Sequence, residues 1–200
     1  MPGRIHLYLP GAVDWGAEAL VSAGLALARG TNAKVSASVL QFRAPPYWRA
    51  GENAAPRSNA LEARFAEDAA LVAAHARHMI EDAGMCGVVK LTSADILGPD
   101  WQAINTARTH DLTLVDLGGK DLGARRRAED FLFESGRPVL ICPLNGHAAI
   151  ACDAAAVAWD HTQAAARAVQ GALPLLKRMR QIHLLTVRCD KNLADERGAR

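Results

Sequence analysis

The chain has 200 residues, of which 50% are hydrophobic and 22% are charged, and its formal net charge is +2. This composition is typical of a globular protein with a buried core, and it excludes a chain that is disordered throughout. A net charge so close to zero predicts no nucleic-acid partner, and no apolar run reaches the roughly 18 residues that predict a membrane span.

The N-terminal residues lack the apolar segment of a secretory signal, so we expect a cytoplasmic protein. The chain contains four cysteines at wide and irregular spacings, without a C-x-x-C pair. In that compartment we expect them to be reduced and mostly buried thiols. They are Cys86, Cys142, Cys152 and Cys189.

Short apolar runs bounded by turn residues predict five β-strands, over residues 4–9, 34–40, 88–92, 111–116 and 138–142. Apolar residues at three- and four-residue spacing predict helices between them, over about 14–29, 59–83, 100–109 and 129–134. The predicted N-caps are Asp14 and Asp100, and Gly30 is a predicted helix stop. Residues 43–58 and 117–127 are predicted loops.

Strands that alternate with helices predict an α/β fold with a parallel sheet covered on both faces. Right-handed crossovers arrange the five strands as a doubly wound open sheet of the Rossmann-like kind. The chain lacks the G-x-G-x-x-G, P-loop and G-x-S-x-G signatures at the required places. Dinucleotide, P-loop and α/β-hydrolase chemistry is therefore not predicted.

The pattern restarts near the C-terminus. Residues 154–159 and 182–187 are predicted strands, and a predicted helix over 162–178 lies between them. This β-α-β unit repeats the pattern of residues 4–40 after an interval of about 150 residues, which is the length of a domain. Pro174 should kink that helix or end its regular hydrogen bonding.

Two segments carry a family resemblance. VAWDHTQAAARAVQGALPLLKRMRQIHLLTV at 157–187 resembles the start of the second repeat in tandem bacterial universal stress proteins, and DLTLVDLG…EDFLFESGRPVLICP at 111–143 resembles the end of their first repeat. The resemblance implies a first universal-stress-protein-like domain over 1–146 and a partial second repeat over 150–200. It also implies that two such units pack about a pseudo-two-fold axis.

The resemblance also suggests a nucleotide site. Some members of the family bind ATP through an acidic residue at the end of the first strand and a G-x-x-G loop, followed nine residues later by Gly-Ser or Gly-Thr. By this resemblance the candidate cofactor-binding residues are Gly118, Gly119, Gly123, Arg126 and Asp160. The glycines would let backbone N–H groups wrap a phosphate.

The match to that site is split between the two units. The first strand ends in Pro10-Gly11 without an acidic residue, and the arginines at 125–127 occupy the place of Gly-Ser. Those arginines either bind a phosphate or form a solvated loop. Asp160 is the acidic residue of the second repeat, or only the N-cap of the next helix, but no phosphate loop follows it. We therefore expect a degenerate ATP site, with no other cofactor.

Metal chemistry has weak support. His75 and His78 share a helix face at i, i+3 spacing, but a metal site needs further ligands. A structural or exposed role for both histidines is favoured, and no metal site is predicted.

The pattern favours a binding or signalling module of the stress response over an enzyme. The alternative is an ATP-binding universal stress protein, or a nucleotide hydrolase of the adenine-nucleotide α-hydrolase-like fold. A third hypothesis is a degenerate domain that only dimerises. We expect a homodimer or another protein partner, because a lone β-α-β unit leaves sheet faces and edges uncovered. A small molecule or a nucleotide is the expected type of ligand.

Overall fold

The computed structural model describes residues 3–12, 16–45, 48, 54–95, 98–117, 123–142 and 153–186. The chain divides into two compact units, Met1–Ile150 and Ala151–Arg200. That the second unit is a partial repeat of the first stays a prediction.

The first unit contains five strands and four helices among its described residues. The strands are β1 (Arg4–Leu9), β2 (Lys34–Arg43), β3 (Gly87–Asp95), β4 (Leu112–Asp116) and β5 (Val139–Cys142). The helices are α1 (Ala17–Thr31), α2 (Ala54–Asp82), α3 (Trp101–Arg108) and α4 (Ala124–Glu134).

The five strands form one sheet in the order β3-β2-β1-β4-β5, and every neighbouring pair is parallel. This confirms the predicted doubly wound α/β fold. The chain runs outward from β1 to β3 and then crosses back to β4, so the order reverses between β1 and β4. Ligands of open α/β sheets bind outside the carboxyl ends of the strands at such a switch point.

The two faces of the sheet follow from the alternation of side chains along β1. Leu7 points towards α1, where a Cβ on Gly24 would come within 2.5 Å of the Leu7 side chain. His6 and Tyr8 point the other way, and both rings contact Phe131 of α4. We call these two surfaces the α1 face and the α4 face. The core of the α4 face includes Tyr8, Leu40, Phe42, Ile104 and Phe131.

Helix α2 begins earlier than predicted. Residues 43–58 were predicted to be a loop and Asn59 the helix start, but α2 begins at Ala54. Pro56 falls in the first turn, where a missing backbone N–H has no intrahelical partner to lose. The proline therefore belongs to the start of the helix. Of the two aromatic residues of this segment, Tyr47 lies outside the described residues and Trp48 is exposed.

Two other helix ends differ from the prediction. Helix α1 continues past Gly30 to Thr31, and Asn32 adopts the left-handed conformation at its C-cap, with φ of 54°. Asparagine tolerates this conformation, so no glycine stop is needed. Helix α4 begins at Ala124, although the prediction had placed residues up to 127 in a loop. The N-cap predicted at Asp14 lies outside the described residues.

The second unit is a β-α-β arrangement. Strands β6 (Ala154–Ala158) and β7 (Gln181–Leu185) pair in parallel, and α5 (Gln163–Leu176) connects them. Helix α5 contains Pro174 and ends two residues later, at Leu176. None of the residues described in this unit is fully buried.

No helix in the described part of the chain is long and apolar enough to span a membrane. Cys86 is an exposed free thiol and Cys142 a buried one. Cys152 and Cys189 lie outside the described residues.

Candidate functional site

The switch point between β1 and β4 is the place where the fold positions a ligand. Strand β1 ends at Leu9 and β4 ends at Asp116, and the two strands are hydrogen-bonded neighbours. Helix α4 follows β4 and begins after Gly123. The site is therefore defined by the residues after β1, the residues after β4 and the first turn of α4.

On the β1 side, Gly11 packs directly against the backbone of β2. A Cβ at this position would lie 1.7 Å from the carbonyl oxygen of Leu40. Only glycine fits there, so the residue serves close backbone packing. A side chain at position 11 would require β2 to move, so a carboxylate is excluded at this position.

On the β4 side, Asp116 is half-buried and is followed by the predicted glycine loop. Gly118 and Gly119 lie outside the described residues, and Gly123 is the N-cap residue of α4. Burial first, and then the charge of Asp116, raise the pKa of Cys142 to about 11. The Cys142 thiol therefore stays protonated and is not a nucleophile at neutral pH.

The three arginines at 125–127 belong to the first turns of α4 and have three different environments. Arg125 is exposed and pairs with Glu129, with 3.0 Å between Nε and Oε1. Arg126 is exposed. Arg127 is buried beneath Gly123, where a Cβ would lie 2.3 Å from its Nη1 atom. The solvated loop predicted for this run is wrong, because the run is helical and one of its members points inward.

Arg127 belongs to a buried polar cluster on the α4 face. Its guanidinium carbon lies 5.2 Å from the centre of the Phe42 ring, within the range of a cation–π contact. Burial lowers the pKa of Arg127, whereas Tyr8, Asp130 and Asp100 oppose that shift. The guanidinium stays charged because arginine titrates far above neutral pH. Arg127 therefore packs below the start of α4, and because it is buried it is not available to a ligand.

Asp100 connects this cluster to α3. One of its carboxylate oxygens accepts a hydrogen bond from the backbone N–H of Ala103 at 2.9 Å, which confirms the predicted N-cap. The other oxygen accepts a hydrogen bond from the Thr92 hydroxyl. Burial first, and the charge of Asp100 second, raise the pKa of Tyr8 well above 10, so its hydroxyl stays protonated.

The start of α4 has the electrostatics of an anion site. The N-cap residue of α4, Gly123, has no side chain with which to cap the helix, and the first turn contains no acidic residue. The first N–H groups of a helix lack intrahelical partners and carry partial positive charge. Arg125 and Arg126 add two cations at the same place. The arrangement can hold an anionic group, and we find no nucleophile paired with a general base among its described residues.

Asp160 belongs to the second unit, whereas Gly123 and Arg126 belong to the first. Its carboxylate accepts hydrogen bonds from the backbone N–H and the hydroxyl of Thr162, at 3.0 and 2.6 Å. Thr162 is itself the N-cap of α5 and accepts from the N–H of Ala165. Thr162, and not Asp160, is therefore the N-cap of α5. Asp160 orients the Thr162 side chain through these hydrogen bonds. His161 has φ of 59°, a left-handed conformation that favours glycine.

His75 and His78, the histidine pair noted in the sequence, both lie on α2. His78 lies 3.2 Å from Asp82 in an exposed i, i+4 pair on α2, and His75 is exposed. No group of three metal-ligating side chains occurs within the described ranges.

Sequence reasoning missed the buried members of the cluster, which are Tyr8, Thr92 and Arg127. Tyr8 and Thr92 lay inside predicted strands, with nothing local to mark them as partners of Asp100. Arg127 was concealed in a run of three identical charges. One usable signal was the four-residue spacing from Gly123 to Arg127 at a helix start, since the backbone N–H of Arg127 bonds to the carbonyl of Gly123.

Comparison with known proteins bears on the fold. No protein-family model matches the chain, and no curated protein matches it. A solved structure from the universal stress protein family of Burkholderia pseudomallei matches with a TM-score of 0.51 and 19% sequence identity, covering 70% of this chain and 96% of that one. A universal stress protein in complex with cAMP matches with a TM-score of 0.47 and 16% identity, covering 70% and 97%. The first likeness shows that the chain has the fold of the universal stress proteins.

Proposed function

We propose that this protein is a non-catalytic binding and signalling module of the universal stress type, acting in the bacterial stress response. The fold supports the type of protein, and the local geometry of the switch point supports the lack of catalysis. The observation that carries the proposal is the packing of Gly11 against Leu40, which excludes a carboxylate at position 11, just past the end of β1. The two described cysteines are free thiols, which is consistent with a cytoplasmic location.

A phosphate-bearing ligand is the chemistry that the start of α4 favours. The partial positive charge at the N-terminus of α4, together with Arg125 and Arg126, attracts an anion, as helix N-termini do in many phosphate sites. A nucleotide held only at its phosphate end would bind weakly. The proposed site in the first unit is therefore a degenerate nucleotide site with Gly118, Gly119, Gly123 and Arg126 as its candidate residues. Asp160 is a separate candidate, in the second unit.

Calorimetric titration of the full chain with ATP tests this proposal. We expect a dissociation constant near 1 mM or weaker, because one exposed cation contributes on the order of 0.2–1 kcal/mol. Arg126→Gln should weaken binding about twofold to fivefold. Arg64→Gln, which removes an exposed cation on α2, is the matched control and should leave binding unchanged.

Two outcomes would overturn the proposal, and a third would remove only its nucleotide part. Micromolar ATP affinity that Asp160→Ala abolishes would show an intact nucleotide site. Release of inorganic phosphate from ATP above the rate without protein would support the alternative of a nucleotide hydrolase. Complete absence of ATP binding at millimolar concentration would leave a module for a protein partner or another ligand.

We also infer that the protein pairs with a second copy or with another protein. Beside the edge strand β5, α4 exposes Leu132 and Phe133, and the Phe133 side chain is 76% exposed. On β7, Ile182, Leu184 and Leu185 are each more than half exposed. Apolar residues in that number on sheet edges and on a two-stranded sheet favour a covering partner.

A further inference from the structure

A groove opens at the opposite end of the sheet from the switch point. It lies on the α4 face, between α3 and the amino-terminal halves of β2 and β3, and its volume is about 630 Å³. Helix α3 has only eight residues and leaves this part of the sheet uncovered. Val88, on the edge strand β3, is 57% exposed beside this uncovered part of the sheet. We call this feature the amino-end groove.

The charged side chains that line the described part of the amino-end groove are all positive. Its lining includes the cations Arg4, Lys34 and Lys90, and no carboxylate is found among its described lining residues. None of these three cations forms an ion pair in the described part of the chain. The nearby carboxylate of Asp111 accepts hydrogen bonds from the backbone N–H groups of Gly3 and Arg4.

The cations come from three adjacent strands. Arg4 and Lys34 are register partners on β1 and β2, and Ser38 and Lys90 are register partners on β2 and β3. Neighbouring strands lie about 4.8 Å apart, so Arg4 and Lys34 are close neighbours, whereas Lys90 lies four residues, or about 13 Å, further along the groove. The like charges of Arg4 and Lys34 repel each other, and an anion bound beside them relieves that repulsion.

The floor of the groove is polar and hydrogen-bonded. The Nδ1 atom of His110 lies 2.7 Å from the carbonyl oxygen of Thr106, which can only accept, so Nδ1 carries the proton. The Nε2 atom lies 2.7 Å from the Ser36 hydroxyl and forms a hydrogen bond with it. Two residues further along β2, the Ser38 hydroxyl and His6 Nε2 form a second hydrogen bond, with 2.9 Å between the two atoms. These contacts fix the floor before any ligand arrives.

Such a floor is unusual for the strand that carries it. Strand β2 lies between β1 and β3, and strands inside parallel sheets normally read as continuous apolar runs. Here Ser36 and Ser38 both occur on the α4 face, directly under the groove. Through their bonds to His110 and His6, these two serines place a polar, hydrogen-bonded surface under the groove.

We propose that the amino-end groove is a binding site for a small organic anion, one that carries a phosphate or a carboxylate on a compact apolar body. Its volume falls within the range of small-molecule sites, about 300–1,000 Å³. Lys34, Lys90 and Arg4 attract the anionic group, and Val88 supplies apolar surface. The site is separate from the nucleotide site proposed at the carboxyl ends of the strands and does not depend on it.

Amide chemical-shift titration of the ¹⁵N-labelled full chain tests the proposal. The probes are phenyl phosphate and benzoate, which share the chemistry but differ in the anionic group, and benzyl alcohol, which is a neutral analogue. We expect shifts at Ser36, Ser38, Lys90 and Thr106, with no shifts at Gly11 or Gly123. The double variant Lys34→Gln/Lys90→Gln should weaken anion binding about tenfold.

The matched control is Arg64→Gln/Lys177→Gln, which removes two exposed cations outside the groove. It should change the affinity less than twofold. Preference for phenyl phosphate or for benzoate would identify the anionic group and support the site in either case. Equal binding of benzyl alcohol, equal weakening by the control, or shifts confined to other regions would each overturn the proposal.

Discussion

His6 is a titratable side chain buried inside the sheet. It is 0% exposed, and burial first, with the charge of His110 second, lowers its pKa from 6.5 to about 3. The neutral ring is therefore the form that the folded state accepts. Because the unfolded chain binds a proton more readily, His6 contributes its full stability above pH 6.5, and the contribution is lost as the pH falls towards 3.

We expect the free energy of unfolding to fall by about 2 kcal/mol between pH 7 and pH 5 through His6 alone, since a full pKa unit corresponds to about 1.4 kcal/mol. His6→Gln keeps a polar group near Ser38 but cannot ionise, so it should remove most of this pH dependence. Urea unfolding at the two pH values measures the effect. His75→Gln, at an exposed position, should leave the wild-type pH dependence in place.

Asp100 performs two tasks with one buried carboxylate, capping α3 and accepting from Thr92. Asp100→Ala removes the helix cap and leaves the buried Thr92 hydroxyl without its acceptor. We therefore expect the free energy of unfolding to fall by about 2–3 kcal/mol. Thr92→Val should cost less, because it leaves the cap intact. A double-mutant cycle by urea unfolding measures the coupling, and additive losses would contradict a direct bond between the two side chains.

At the scale of elements, the end of α1 depends on one left-handed residue. Asn32 has φ of 54° and its backbone N–H bonds to the carbonyl of Ala28. Asn32→Ala should destabilise the protein by about 1 kcal/mol, because a Cβ without a compensating polar group is strained in this conformation. Asn32→Gly is the matched control and should be neutral or slightly stabilising. Thermal unfolding distinguishes the two, and equal melting temperatures would argue against the strain.

The strands were predictable from the sequence because each is a short apolar run, and β1, β4 and β5 lie within one residue of their predicted bounds. Helix starts were harder. The Arg125–Arg127 run resembles a solvated loop in the sequence, whereas in the structure it is helical and Arg127 contacts Phe42, which is distant in the chain. The local sequence pattern likewise predicted Asp100 as an N-cap, but it could not predict that the Thr92 hydroxyl bonds to Asp100.

The groove illustrates the same limit. Ser36 and Ser38 are visible in the sequence as polar residues at alternate positions of β2, but nothing local shows that His110 approaches Ser36. That contact requires α3 to cross back over the sheet and to end before it covers β3. The length of α3 was predicted from its cap, whereas its place over the sheet is a tertiary property.

At the scale of the whole molecule, exposed apolar side chains predict self-association or a partner. Phe133 is the most exposed large apolar side chain among the described residues. If α4 and β5 form the contact, Phe133→Lys should convert a dimer at micromolar concentration into a monomer, because a charge cannot be buried there without a partner. Light scattering measures the mass. Leu71→Lys, on the exposed side of α2, is the control, and a wild-type monomer would contradict the pairing.

The two-stranded sheet of the second unit also determines how fast its backbone amide hydrogens exchange with solvent. A sheet of two strands without a fully buried side chain opens by local fluctuation far more often than a five-stranded sheet with a core. Amide hydrogens of Ile182 and Leu184 should therefore exchange with solvent long before those of Leu7 and Val39. A partner that covers β6 and β7 would slow this exchange. Deuterium uptake at these amides therefore shows whether a partner is bound to the second unit, even where binding does not change the melting temperature.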